Sequence, residues 1–202
     1  MADEKNKGDA GEFGEVARGI APTAIGMAVF ALFYSIWFGF AWGIIGWIIF
    51  GVTVLCAIVM IAGSIKNMRH ARRFPGYPTE RGRKIGKSMG VLMGITYIAI
   101  FTVAAILGIS GNDKFIMSAI ALIIGVHFIP IGKIIDVKAN YYVAPLPILS
   151  GIIGLYFGLQ TDLPWTALYA VSGTGGAAAT MIYGFYMNDQ YKKVASIFGI
   201  PY

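Results

Sequence analysis

His127 is the residue of this chain best placed to do chemistry, because it is the one ionisable side chain in the middle of a long apolar run, Gly125-Val-His-Phe-Ile-Pro-Ile-Gly132. In a hydrocarbon setting an imidazole can carry a proton, ligate a metal or hydrogen-bond a ligand, and such a group marks a functional site by default. Pro130 follows on the next turn. Proline has no N–H, so the carbonyl of Val126 loses its helical partner and the helix is expected to kink there. His127, Pro130 and the freed Val126 carbonyl then form a small polar spot, about 18 Å along the helix from Phe115 at about 1.5 Å per residue. The alternative is a neutral imidazole hydrogen-bonded to a Ser, Thr or Tyr of a neighbouring helix.

Around that histidine most membrane chemistries lack their parts. All ten carboxylates, from Asp3 to Asp189, map to tails, loops or helix ends. Ion-coupled carriers place a carboxylate at mid-membrane, so carboxylate-coupled transport is disfavoured, and so is a carboxylate-bridged metal centre. His70 lies in a basic segment, which argues against a haem held by two histidines. Cys56 is the only cysteine, leaving no intramolecular disulfide and no multi-cysteine metal site. Gly173-Thr-Gly-Gly176 has the glycines of a phosphate loop but neither a following lysine nor a preceding strand. No catalytic, metal or cofactor set assembles, and the chain is expected not to be an enzyme.

The elements that must hold His127 follow from the distribution of charge. From Gly19 to Ile65 run 47 residues without Lys, Arg, Asp, Glu or His. A bilayer core takes about 20 residues of helix, so this stretch reads as a hairpin of two spans turning near Gly39–Gly43. Four more runs have the same character. The expected fold is all-α, a polytopic bundle of six transmembrane helices near 20–38, 42–65, 88–109, 115–135, 141–160 and 165–187. A tail over 1–18, a basic loop over 66–87 and a tail over 188–202 complete it. Composition agrees, with 57% hydrophobic residues, 13% charged and a mean hydropathy of +0.69. The mixed-charge start lacks the regions of a secretory signal, so it is expected to be retained.

Lysine and arginine stay on the cytoplasmic side of a membrane. With both termini inside, 15 of the 16 basic residues fall in cytoplasmic segments and only Lys114 lies outside. This orientation predicts a multi-pass protein of the cell membrane, inner or plasma. The segment Lys66–Lys87 carries eight positive charges against Glu80 alone. Its first role is topological, with contact to anionic headgroups at about 1 kcal/mol per basic residue. Docking of a partner subunit or anionic ligand through Arg72, Arg73, Arg81 and Arg83 is the second reading. Phe74-Pro-Gly-Tyr-Pro78 reads as a turn. Nothing around it resembles a nucleic-acid fold, and nucleic acid is not expected as a partner.

Small residues at four-residue spacing allow close helix contact in lipid. Gly86, Gly90 and Gly94 form one such ladder, Gly154 and Gly158 another, and Ser172-Gly-Thr-Gly-Gly-Ala-Ala-Ala-Thr180 is small on every face. Tight packing is the plain explanation, compatible with a monomer or a homo-oligomer. The sharper one has Ser172, Thr174 and Thr180 lining a cavity with His127. Trp37, Trp42, Trp165, Tyr141 and Tyr142 suit the membrane interfaces.

His127-Phe-Ile-Pro130, a short basic loop and Tyr141-Tyr142 together resemble a family of small bacterial multi-pass membrane proteins of unknown function, over the fourth and fifth spans. The resemblance implies a polytopic protein and assigns no catalytic residue. Two functions are then expected: a small-molecule or lipid binding or transport component with its cavity at His127, or a non-catalytic scaffold docking a partner through the arginines.

Overall fold

A computed structural model describes residues 2–77 and 79–202, with side chains from Gly11 onward. Met1, Pro78 and the side chains of the N-terminal residues, Lys5 and Lys7 among them, lie outside the described residues. Everything regular in the rest is helical: α1 (Ala2–Ile20), α2 (Thr23–Ser35), α3 (Trp37–Ala71), α4 (Glu80–Ile109), α5 (Ile116–Ile135), α6 (Ala139–Val143), α7 (Pro145–Gln160) and α8 (Trp165–Ile197), with a 3-10 turn at Asp113–Phe115.

Five segments are long and apolar enough to cross a membrane: Gly11–Ser35, Trp37–Ala71, Glu80–Ile109, Asp113–Ile135 and Ala139–Gln160. The chain thus has the build of a multi-pass membrane protein. The sixth expected span is α8, a helix of 33 residues whose glycines, serines and threonines keep its hydropathy below that of the others. Its position explains the difference. α8 is the central element, against which α1, α2, α3, α5, α6 and α7 all pack, so its composition is fitted to protein neighbours. A Cβ at Gly173 or Gly176 would run into Tyr34 of α2, and one at Gly175 into the Leu146 carbonyl of α7. The run of small residues therefore serves close backbone approach, the plain one of the two expectations.

The expected hairpin turns at Gly43. That residue sits at φ 58°, ψ −134°, a conformation that only glycine adopts without strain. Past the turn the two helical segments come so close that a Cβ at Gly46 would overlap the Phe38 carbonyl, and one at Gly39 the Trp47 ring. Ser64 Oγ then donates to the carbonyl of Ala21 at the far end of the hairpin.

Several boundaries differ from those expected. Residues 2–20 form a helix rather than a tail, broken from α2 at Ala21-Pro22, where the proline supplies no N–H. The basic segment 66–87 is mostly helical, since α3 continues to Ala71 and α4 begins at Glu80. Lysine and arginine are good helix formers, and the hydrogen-bond ladder does not need to stop where the hydrocarbon does. The start of α4 is capped twice: Thr79 Oγ1 accepts from Gly82 N at 3.0 Å, and Glu15 of α1 accepts from Thr79 N at 2.8 Å. α8 likewise runs past residue 187 to Ile197. Pro130 lies inside a continuous α5, which ends in a left-handed Asp136 at φ 56°.

Candidate functional site

α5 brings His127 to α4, and α4 brings one residue to meet it. Among the described residues Thr96 is the only buried residue of α4, a helix that otherwise packs on α5 and the Asp113–Phe115 turn with most of its surface exposed. Thr96 is 6% exposed and His127 8%. Thr96 Oγ1 lies 2.9 Å from the carbonyl of Leu92 and 2.6 Å from His127 Nδ1.

The protons of this cluster can be assigned. A carbonyl only accepts, so the threonine hydroxyl donates to Leu92 and its oxygen accepts from Nδ1–H. Nδ1 then carries a proton, and in the neutral imidazole the lone pair is on Nε2. Among the described residues no donor reaches Nε2, and it is not sealed in the protein interior. The result is a hydrogen-bond acceptor at the margin between α4 and α5, flanked by Val126 and Ile129, both exposed. Along α4 from Thr96, Lys87, Ser88, Val91, Leu92 and Ile95 line an open groove of about 350 Å³. A cation thus stands at one end of a largely apolar trough whose other end, Ile95, is the residue before Thr96.

The other predicted ligand residues make polar contacts with groups other than His127. Ser172 Oγ is 2.7 Å from Ser118 Oγ and donates to Leu168 O, while Ser150 Oγ donates to the Ser172 carbonyl at 2.8 Å, joining α5, α7 and α8. Thr180 is buried and satisfies its hydroxyl on Gly176 O of its own helix. Thr174 is exposed and bonds Val171 O. Pro130 is half-buried next to the exposed Ile129. Gly86, Gly90 and Gly94 face open space, with no protein atom near a Cβ built on any of them.

A second polar cluster, which the sequence did not single out, ties the end of the bundle where α1, the last turn of α3 and the C-terminus meet. His70 is part of α3 rather than a loop, and Nε2 is 2.9 Å from the carbonyl of Pro201 and Nδ1 2.8 Å from Tyr191 Oη. The carbonyl accepts, so Nε2 carries the proton and Nδ1 accepts from the tyrosine. Tyr202 Oη donates to Asn67 Oδ1, Asn67 Nδ2 to Asn188 Oδ1, and Asn188 Nδ2 to Met60 O, a chain with every link filled. Phe13 of α1 packs edge-on against His70, Phe74 and Tyr191. Burial, with Tyr202 close by, pushes the Tyr191 hydroxyl up to about 12. The close fit of aromatic rings and the closed hydrogen bonds mark this end as structural. Arg72 and Arg73 are exposed in the turn after α3, and Arg81 and Arg83 in the first turn of α4. Among the described residues no group of three or more His, Cys, Asp or Glu could hold a metal.

No family model, curated protein or solved structure matches the chain.

Proposed function

We propose that the protein is a multi-pass component of the cell membrane, with six spans and both termini in the cytoplasm, that binds a lipid or a small amphiphilic molecule at the seam between α4 and α5. The observation that carries this reading is His127 Nε2, which has no partner among the described residues and, with Nδ1–H on Thr96 in the neutral ring, is an acceptor. A ligand hydroxyl or amide N–H would complete it, and the groove from Lys87 to Ile95 offers a place for an acidic head and an apolar tail. Because α4 is held by α5 and little else, its separation from the bundle costs little packing and gives a route to the seam. α8 is counted as the sixth span, and the basic residues support the orientation: the 66–87 segment, the α1 end and the C-terminus gather at one end, with Lys114 at the other, donating to Gly158 O.

Native mass spectrometry of protein extracted in mild detergent tests the reading. A molecule of defined mass should stay bound to the wild type and be lost from His127→Ala; bulk lipid alone, unchanged in the variant, would overturn it. A second reading, a scaffold that docks an acidic partner, is favoured by the exposure of Arg72, Arg73, Arg81 and Arg83, and it fails if the four-fold glutamine variant keeps every partner of the wild type in mild-detergent pull-downs.

A further inference from the structure

The break between α1 and α2 opens a second cleft, remote in sequence from His127. Arg18, Ala21, Pro22, Met68, Ala71 and Arg72 line an open space of about 300 Å³. Two features distinguish it from a merely basic surface. The Arg18 side chain is held in place, since Nη2 donates to the carbonyl of Phe74 at 2.8 Å and the arm runs over Gly76, where a Cβ would meet its Cδ at 3.2 Å. The fork of a guanidinium has five N–H donors, so most remain for something else. Among the described residues neither arginine has a carboxylate partner; the ion pair found is Lys193 with Asp189, and the carboxylate of Glu15, one turn from Arg18, accepts from Thr79 N.

The cleft also lies at a definite level. Arg18 is the residue before the uncharged stretch begins, and Met68 to Arg72 are just beyond its end, so the two chain segments meet where charge gives way to hydrocarbon. Its lining sets two arginines, Arg18 and Arg72, beside Ala21, Pro22, Met68 and Ala71. We infer that this cleft is a binding site for the phosphodiester of an anionic phospholipid, with Arg18 and Arg72 bridging the phosphate and the apolar lining residues taking the glycerol end of the acyl chains. Planar guanidinium forks match phosphate oxygens bidentately, and two of them convert a diffuse attraction to the headgroup layer into a site with one register. The inference rests on the membrane reading above but not on a ligand at His127.

The test uses the full chain in mild detergent, titrated with phosphatidylglycerol or phosphatidylcholine and read by native mass spectrometry. Wild type should retain one phosphatidylglycerol at least about tenfold more tightly than phosphatidylcholine, since charge-assisted bonds of this kind discriminate at that level. Arg18→Gln and Arg72→Gln should each abolish that preference, while Arg81→Gln/Arg83→Gln and His127→Ala leave it intact. Arg72 makes no side-chain hydrogen bond among the described residues, so its variant keeps the test open should Arg18→Gln fail to fold. Equal loss in the Arg81/Arg83 variant would show a diffuse basic surface and overturn the site. Competition by inorganic phosphate at the concentration that lipid requires would show a free-anion site and overturn the assignment to lipid. Loss in His127→Ala alone would speak to the α4 seam and leave this cleft refuted.

Discussion

Replacing Thr96 by valine removes one hydroxyl and almost no volume, so its effect can be traced to a single hydrogen bond. His127 Nδ1–H loses the acceptor that it reaches at 2.6 Å, and with both residues under a tenth exposed no water replaces it. In a water-soluble protein an orphaned buried donor costs about 1–3 kcal/mol. Between membrane helices the measured averages are smaller, about 0.6 kcal/mol and at most about 1.7, because separated helices also find partners. The site is close to buried and the acceptor is its only protein partner, so about 1 kcal/mol is the working figure. The loss should be local. Among the described residues Thr96 is the only buried one of α4, so the cost falls on the docking of that helix and not on α8 and its neighbours. Hydrogen exchange should therefore show α4 amides exchanging about fivefold faster, with protection in α8 unchanged. Thr180→Val is the matched control: its hydroxyl bonds carbonyls of its own helix, so the change should leave α4 as it was. Equal α4 protection in wild type and Thr96→Val, or equal loosening by both variants, would refute the claim that Thr96–His127 fastens α4.

Three further outcomes are expected. Gly43→Ala should destabilise by about 1–3 kcal/mol in a detergent unfolding titration, because alanine at φ 58° is strained whatever the space, whereas Gly51→Ala, mid-helix in open surroundings, should be neutral or slightly stabilising. Asn67→Leu leaves Asn188 Oδ1 and the Tyr202 hydroxyl without their partner, and limited proteolysis should then release the C-terminal residues faster than in wild type. Tyr191 should titrate by ultraviolet absorbance near 12, above the ordinary 10.0, and the signal should vanish in Tyr191→Phe. Its raised value means that the folded state holds the proton longer than the unfolded one, so stability from this group is complete below the ordinary value and declines as pH rises through the interval to about 12.

Charge made the spans legible, and it did so for a physical reason: lipid tolerates uncharged helix and little else. The turn at Gly43 could be read for the same kind of reason, since a positive φ in that reach calls for glycine. The inner face of each helix could not. In water a helix shows its buried side by contrast with a polar one, but Val91, Ile95, Ile98 and Phe101 of α4 are apolar and exposed alike, so nothing in the order of residues marks Thr96 as the one turned inward. The limits of the basic segment were hidden because hydropathy marks where hydrocarbon ends, while the cap on α4 depends on Thr79 and on a carboxylate from α1, 64 residues earlier. His127 was visible as a lone ionisable group, and its partner was within the class anticipated, a hydroxyl on a neighbouring helix. Grouping it with Ser172 and Thr180 went beyond what sequence distance can show, because the Ser172 hydroxyl is taken up by Ser118 of α5 and by its own turn, and that of Thr180 by its own turn.

α8 has a consequence for how such a molecule comes to exist. On its own this helix would gain little from hydrocarbon, since the residues that let Tyr34 and Leu146 lie against its backbone are the ones that give lipid nothing to hold. In the six-span reading proposed above, it becomes a membrane helix by joining the others. In that reading insertion and assembly are one event for α8, and a substitution that fills Gly173, Gly175 or Gly176 would act before there is a folded state to destabilise.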